Sequence, residues 1–324
     1  MCELFVSIII PTYNRAHSIK YTLDSFLQQD YPKDKYEIIV CDNNSTDNVK
    51  EVVYGYVEKY GEKRIRYMFE RRQGVHYARN SAAKTAKGDI LYFTDDDMLA
   101  EPDLLKKLIP VFECNNKIGC ATGKVLPKWE TSPPKWIRRF CTNGLLSLKN
   151  LGDMTIIRAY DMGVFSCHEA IRREAFFETG GFHPEYTRDV YLGDGETGLN
   201  QDILKNGWMM AYVGRSIIYH MIPSKRMTQK HINKVKANTG NAVSYQEYRK
   251  TPFDKKSLVF RYKGYFVAYL KDCKEIIEKT LLGESTLRFV VANWHYYWAR
   301  VVYDYHIVHD KRFRRMVIKN NWLG

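Results

Sequence analysis

The 324-residue chain carries seven cysteines (2, 41, 114, 120, 141, 167 and 273) but no CxxC pair. An odd number cannot all be paired, so a reducing compartment is the simplest reading and a disulfide scaffold is excluded. No window reaches 18 apolar residues; the longest uninterrupted candidates, such as residues 265–270, are far too short for a spanning helix. Residues 1–10 have no basic n-region and no small-residue cleavage site, and run straight into a strand pattern. No signal peptide is expected from them. No internal repeat or low-complexity segment is present, which excludes collagenous and disordered classes.

Acidic residues are scarce in the last third. Residues 205–324 hold 8 Asp/Glu against 23 Lys/Arg, a net of +15, whereas residues 1–204 hold 29 against 27, a net of −2. The overall +13 therefore belongs to the end of the chain. A basic excess points to nucleic acid, an anionic membrane or a phosphate-bearing substrate. The near-neutral first two thirds argues against nucleic acid. The length suits one large α/β domain with an appendage, or two ordinary domains.

What is present is a strand–helix alternation. Residues 5–10 are a short apolar run rich in Val and Ile and, with residues 36–41, read as strands buried on both faces; residues 64–69 and 90–93 read as a third and a fourth strand. Residues 18–29, 48–60 and 75–86 have helical apolar spacing. The pattern predicts a doubly wound α/β sheet. In such sheets ligands sit beyond the carboxyl ends of the strands. Those ends here are Pro11-Thr12-Tyr13-Asn14, Asp42-Asn43-Asn44 and Asp95-Asp96-Asp97. Residues 127–160 read as a long loop or lid, 210–219 as a further strand, and the chain after about 225 as helical, aromatic and basic. The expected division is 1–225 and 226–324.

Three adjacent carboxylates repel one another unless a cation or solvent offsets them. Mg²⁺ or Mn²⁺ suits such oxygens and also takes substrate phosphates. The bland alternative is a solvated acidic turn.

VSIIIPTYNRAHSI, EIIVCDNNSTD, QGVHYARNSAAKTAKGDILYFTDDDM and TGGFHPEY occur in order between residues 6 and 186, within a resemblance that covers about residues 4–222. Together they resemble the family 2 glycosyltransferases, which have the GT-A nucleotide-sugar-binding fold, a Rossmann-like mixed sheet. The resemblance implies that Pro11, Thr12, Asn14 and Arg15 wrap the nucleotide. It implies that Asp42 accepts a hydrogen bond from the base, typically uracil N3–H, and that Arg79 approaches the nucleotide. Asp95 would face the ribose or sugar, Asp96 help position the sugar, and Asp97 bind the metal, with Asp95 and His220 as further ligands. Lys225 and Arg226 follow His220 closely and either clamp the diphosphate or belong to the basic face. The alternatives are a turn role for Asp42, a surface charge for Arg79 and a structural role for His220.

An inverting transfer needs a base to take the acceptor hydroxyl proton. In the family a Glu-Asp pair before a leucine supplies it. Here the segment reads Gly193-Asp194-Gly195-Glu196-Thr197-Gly198-Leu199, so Gly195 stands at the Glu position and Glu196 at the base position. Glu196 is the expected base, with Asp194 second; the alternative is a polar turn capping a helix. His168 stands where the family commonly has asparagine, a swap that bears on sugar specificity. Trp129 and Trp136 are candidates for stacking on an acceptor sugar, or for ordinary packing.

Residues 311–317 set basic side chains beside an apolar trio, Phe313, Met316 and Val317. Such a helix can lie in an anionic membrane interface, where a lipid-linked acceptor would be found. The reading is an inverting, metal-dependent glycosyltransferase using a nucleotide-sugar, UDP-linked, at the cytosolic membrane face. A sugar-phosphate nucleotidyltransferase is the enzymatic rival. It would need a glycine-rich loop after the first strand, and PTYNRAHS has no glycine. A non-catalytic sugar- or membrane-binding module is the other rival, and intact Asp95, Asp97 and Glu196 argue against it.

Overall fold

The computed structural model describes residues 4–187 and 190–324; Cys2 lies outside them. The first hundred residues alternate as expected: β1 (Val6–Thr12), α1 (Ile19–Leu27), β2 (Tyr36–Asp42), α2 (Val49–Tyr60), β3 (Ile65–Phe69), α3 (Val75–Thr85), β4 (Ile90–Thr94) and β5 (Met98–Ala100). Two short helices follow, α4 (Leu104–Leu108) and α5 (Pro110–Cys114), then β6 (Ile118–Trp129), α6 (Lys135–Phe140), β7 (Thr155–Arg158), β8 (His168–Arg172) and α7 (Arg173–Glu178). A small antiparallel pair, β9 (Tyr186–Thr187) and β10 (Val190–Tyr191), precedes α8 (Gly195–Lys205) and β11 (Met209–Ile222). The chain then continues as α9 (Gln229–Lys250), α10 (Leu258–Leu281), α11 (Arg288–His309) and α12 (Lys311–Val317).

Among the described residues nine strands form one sheet, in the order β3-β2-β1-β4-β8-β6-β11-β5, with β7 against β11. The half from β3 to β4 is parallel; β8 runs antiparallel to both β4 and β6, so the sheet is mixed. β1 lies between two parallel neighbours, and every residue of it is buried. That is why its sequence is a continuous Val/Ile run rather than an alternating one. Alternate residues feed two cores. Val6, Ile8 and Ile10 pack under α1 and α2, while Ile9, Ile39 and Leu91 pack under the alanines of α3. Small side chains at Ala78, Ala82 and Ala83 bring α3 close to the sheet, with its N-terminal end beside the ends of β1 and β2.

Several expectations change. The presumed lid opens as the end of β6, where Pro127 and Trp129 pair with β11. Trp129 and Trp136 both pack on the core, and Arg288 of α11 covers the Trp136 ring at 4.8 Å. His168 is fully buried, so it cannot touch a sugar. Its Nδ1 accepts from Tyr92 Oη (2.8 Å), leaving Nε2–H to donate to the Ser216 carbonyl (3.3 Å) in the irregular stretch of β11. Its function is to hold that bulge. The apolar trio of α12 does not face outward. Phe313 and Val317 are buried with Tyr77, Leu192, Tyr245 and Tyr303, and Met316 packs against them. The helical region thus shares a third core with α3 and the segment before α8.

Candidate active site

The carboxyl ends of β1, β2 and β4 open into a cleft of about 500 Å³, lined by Thr12, Tyr13, Arg15, Asn43, Glu185 and Arg226 with the three aspartates 95–97. A larger concavity between the end of α9 and the start of α10 lacks such a cluster of carboxylates. Chemistry rather than volume marks the site.

β4 ends at Thr94 and delivers the aspartates to three different environments. Asp95 is turned onto Arg79 of α3, whose guanidinium is almost wholly buried and also contacts His76 Nε2 and the Ser166 carbonyl. Arg79 is therefore not a surface charge. Asp96 accepts from Thr12 Oγ1 (2.8 Å), and burial together with the Asp97 charge pushes it up to about 7. Asp97 faces three cationic or basic groups. Arg226 Nη2 lies 3.0 Å and Arg15 Nη1 3.5 Å from Oδ2, and His220 Nε2 lies 3.8 Å from Oδ1. Burial opposes ionisation of Asp97, but the neighbouring His220 ring and the Arg226 and Arg15 charges outweigh it and hold the carboxyl down at about 2.

The fit to a divalent ion can be tested on these atoms. Asp97 Oδ1 is buried and has no hydrogen-bond partner. His220 Nδ1 lies 2.9 Å from the Leu146 carbonyl and must donate to it, so the Nε2 lone pair points toward Asp97 and Arg226. An orphaned carboxylate oxygen beside an oriented imidazole nitrogen suits a small hard cation. Among the described residues no three ligand-type side chains converge, because Asp95 is engaged by Arg79. Two protein ligands are enough where phosphates and water fill the rest.

Asp42 is buried at the end of β2. Its Oδ1 accepts the Ser45 N–H (2.9 Å) and its Oδ2 the Tyr67 hydroxyl (2.8 Å). Asn14, at φ +54, joins the two neighbouring loops, its Oδ1 accepting the Thr46 N–H (2.7 Å). Pro11 continues the β1–β2 ladder.

Opposite the aspartates stands the start of α8. Asp194 is almost fully buried; its Oδ1 is bonded to His183 Nδ1 (2.9 Å) and its Oδ2 accepts from Gln246 of α9 (3.0 Å). Glu196 is half-buried in the first turn of α8, its Oε2 3.7 Å from His76 Nε2. The Glu185 N–H donates to His76 Nδ1 (3.3 Å), which leaves the other ring proton on the Glu196 side. Burial would raise the Glu196 carboxyl, but His76 and Arg79 outweigh it and lower it, so it is ionised at neutral pH. Burial and the Glu196 charge push Glu185 up to about 8, so it is a neutral acid at pH 7. At Gly195, with φ +57, an added Cβ would meet Glu185 Oε1 at 2.9 Å and His76 at 2.8 Å. The Glu185 carboxyl therefore fills the space that a side chain at 195 would take.

Glu185, His76 and Asn43 were not recognised from the sequence. Glu185 lies inside the TGGFHPEY motif, yet only the fold brings it to the Gly195 vacancy. Asn43 steadies the loop before α3, donating to the Glu70 and Arg72 carbonyls and accepting from the Gly74 N–H.

Glu169 is fully buried beneath the site, 3.6 Å from Cys120 Sγ and with Oε2 unpartnered. Burial, then the Glu196 charge, push it from 4.5 up to about 8. Between those values the native state keeps a proton that the unfolded chain has released. Stability therefore falls as pH rises through that window, by up to about 1.4 kcal/mol per pH unit. Glu169→Gln should remove that slope: by urea denaturation, the variant gains on wild type from pH 6 to pH 8. A pH-independent offset would refute the burial argument.

The family profile described as Glycosyl transferase family 2 matches residues 7–181, over half of the chain. Glycosyltransferase AglE of Haloferax volcanii is 41% identical over 93 residues, 29% of this chain and 30% of that protein. A Methanococcus voltae enzyme named dolichyl N-acetyl-alpha-D-glucosaminyl phosphate 3-beta-D-2,3-diacetamido-2,3-dideoxy-beta-D-glucuronosyltransferase is 37% identical over 110 residues, 34% of each chain. The chain thus spans about a third of the length of these curated relatives. Among solved structures, the mannosyltransferase PcManGT from Pyrobaculum calidifontis, in complex with GDP-Man and Mn²⁺, superposes with a TM-score of 0.56 at 19% identity, over 93% of this chain and 74% of that one. GalNAc-T7 with UDP, GalNAc and Mn²⁺ gives 0.53 at 17% identity, over 77% and 51%. The chain belongs to glycosyl transferase family 2 and has the GT-A fold, extended by a distinct C-terminal helical region.

Proposed function

We propose that the protein transfers a sugar, with inversion, from a UDP-sugar to a hydroxyl of a glycan or lipid-linked acceptor. The carrying observation is a pair of charge environments, one within the cleft and one behind Glu185 at its edge. Glu196 is held ionised on one side; on the other, Asp97 and His220 stand beside the Arg15 and Arg226 cations.

In this reading Glu196 takes the acceptor O–H proton as the oxygen attacks the anomeric carbon. The bond from that carbon to the diphosphate oxygen breaks, and its electron pair leaves with UDP. Asp194 has both oxygens engaged by His183 and Gln246, which favours Glu196 over it as base. Asp97 and His220 would hold Mn²⁺ or Mg²⁺, with Asp95 next to them. When bound, the ion neutralises charge on the leaving diphosphate. Arg15 and Arg226 supply further positive charge there. Thr12 and Pro11 form the floor under the nucleotide, with Asp96 and Arg79 on the sugar side. Asp42 keeps lone pairs for a base N–H beyond those used by Ser45 and Tyr67. Neutral Glu185 donates a hydrogen bond to a sugar oxygen.

Two relatives named for dolichyl-phosphate substrates favour a lipid-linked acceptor. The setting would be the cytosolic membrane face, with the protein peripheral; no described helix is long and apolar enough to cross a membrane. Melting curves with Mn²⁺ and a panel of nucleotide-sugars test the donor. UDP-sugars should raise the melting temperature only with the metal. A rise confined to GDP-mannose would overturn the uracil assignment.

A further inference from the structure

Among the described residues most of the exposed large apolar side chains lie on the helical region. α11 turns Ala292, Arg300, Tyr303 and Ile307 inward, packing along α9 and α10. Its other face carries Val291, Trp294, Trp298, Val302 and Tyr305, continued by Leu287 at its N-cap, all exposed. They recur every three or four residues, one stripe about 27 Å long. α10 runs antiparallel beside it, with Tyr262 donating to the Val301 carbonyl (3.2 Å) and Asn293 to Asp272 (3.1 Å). It extends the surface through Phe260, Val267, Leu270 and Ile277. At the turn, Leu281 is 84% and Leu282 73% exposed. A contiguous apolar surface of this extent marks an interaction site on a soluble chain.

The charges around it have one dominant sign. α6 lies against the turn: Arg288 covers Trp136, and Arg139 Nη2 is 3.5 Å from where a Gly283 Cβ would stand. Lys135, Arg138 and Arg139 of α6 are exposed, as are Lys263 and Lys271 of α10. None of these five has an ion-pair partner among the described residues. The acidic Glu275 and Glu278 are paired with Lys279 and Lys274, and Glu284 is the one exposed acid at the turn against Arg138, Arg139 and Arg288 beside it. α6 leads within a few residues to Leu146, which orients His220. The surface therefore borders the donor cleft.

We propose that the α10–α11 hairpin, with α6 beside its turn, docks on an anionic lipid bilayer. Leu281 and Leu282 enter below the headgroups, Trp294 and Trp298 lie at the interface, and the lysine and arginine heads meet lipid phosphates. A second copy of the chain fits less well, since a symmetric pairing would bring these unpaired cations toward their own equivalents. This surface, not α12, is the membrane face. The inference does not rest on sugar transfer, because vesicle binding needs no donor.

Flotation of the full chain with phosphatidylcholine vesicles, with and without 30% phosphatidylglycerol, tests it. The protein should float with the anionic vesicles at low salt, with a blue shift of tryptophan emission. Leu281→Glu/Leu282→Glu should reduce partitioning at least tenfold with an unchanged melting curve. Arg138→Glu/Arg139→Glu should abolish the preference for anionic over neutral vesicles. Three results would overturn the proposal: wild type remaining unbound at low salt, the leucine variant floating like wild type, or a dimer by light scattering that Trp294→Glu/Trp298→Glu dissociates while no form floats. Metal-dependent UDP binding in the same preparations reports on the donor cleft separately.

Discussion

Glu196→Gln should lower kcat by about 10²–10⁴-fold while nucleotide-sugar binding and the melting curve stay near wild type. The amide keeps the shape of the side chain and loses only its capacity to take a proton. Glu185→Gln is the internal control. Glu185 is already neutral at pH 7, so the amide replaces a neutral acid and the loss there should stay within about tenfold. The pH profile should separate the two carboxyls. Glu196 is lowered by His76 and Arg79, so it remains a base to below the usual glutamate range. Glu185 ionises near pH 8, placing a second negative charge beside Glu196, so wild-type activity should bend in that region and Glu185→Gln should not. An equal loss in both variants would contradict the separate roles.

Asp97→Asn has the second large effect. Asp97 carries the orphaned oxygen and faces His220, so its amide should abolish metal-dependent binding of UDP and cost roughly 10³-fold or more in transfer. Metal-free UDP binding should move the other way. Arg15 and Arg226 lose the carboxylate that now holds them, which leaves more positive charge for the diphosphate. Calorimetric titration of UDP with and without Mn²⁺ reads both terms. A metal-dependent increment as large as that of wild type would remove Asp97 from the ion's ligands.

The legible part of the fold was its first hundred residues. There β1, β2 and β4 carry apolar runs at their centres, Ile8–Ile10, Ile38–Cys41 and Ile90–Phe93, and each helix shows one apolar face, so periodicity separates them. The later strands were harder. β8 carries buried His168 and Glu169, and β11 is interrupted by a bulge, so neither reads as a clean run. The apolar trio of α12 had a membrane-like period, but period alone cannot say whether protein or lipid covers a face. Tyr303 and Tyr245 cover it. The density of Phe, Val, Trp and Tyr over residues 288–303 of α11 is plain in the sequence, but which side of that helix stays bare is not, because apolar residues occur on every side of it.

Within the site, the strand-end aspartates and Glu196 were legible because their motifs are local. The partners that set their chemistry were not. Asp97 meets Arg226 across 129 residues, and His76 meets Glu196 and Glu185 across more than 100. The choice between Asp194 and Glu196 likewise depends on Gln246 in a distant helix.

The most direct test follows the nucleotide product as purified protein meets a UDP-sugar panel with Mn²⁺ or with chelator. The account predicts UDP release that requires the metal and is abolished in Glu196→Gln. Pyrophosphate from a nucleoside triphosphate and a sugar phosphate, or UDP release unaffected by both chelator and Glu196→Gln, would contradict it.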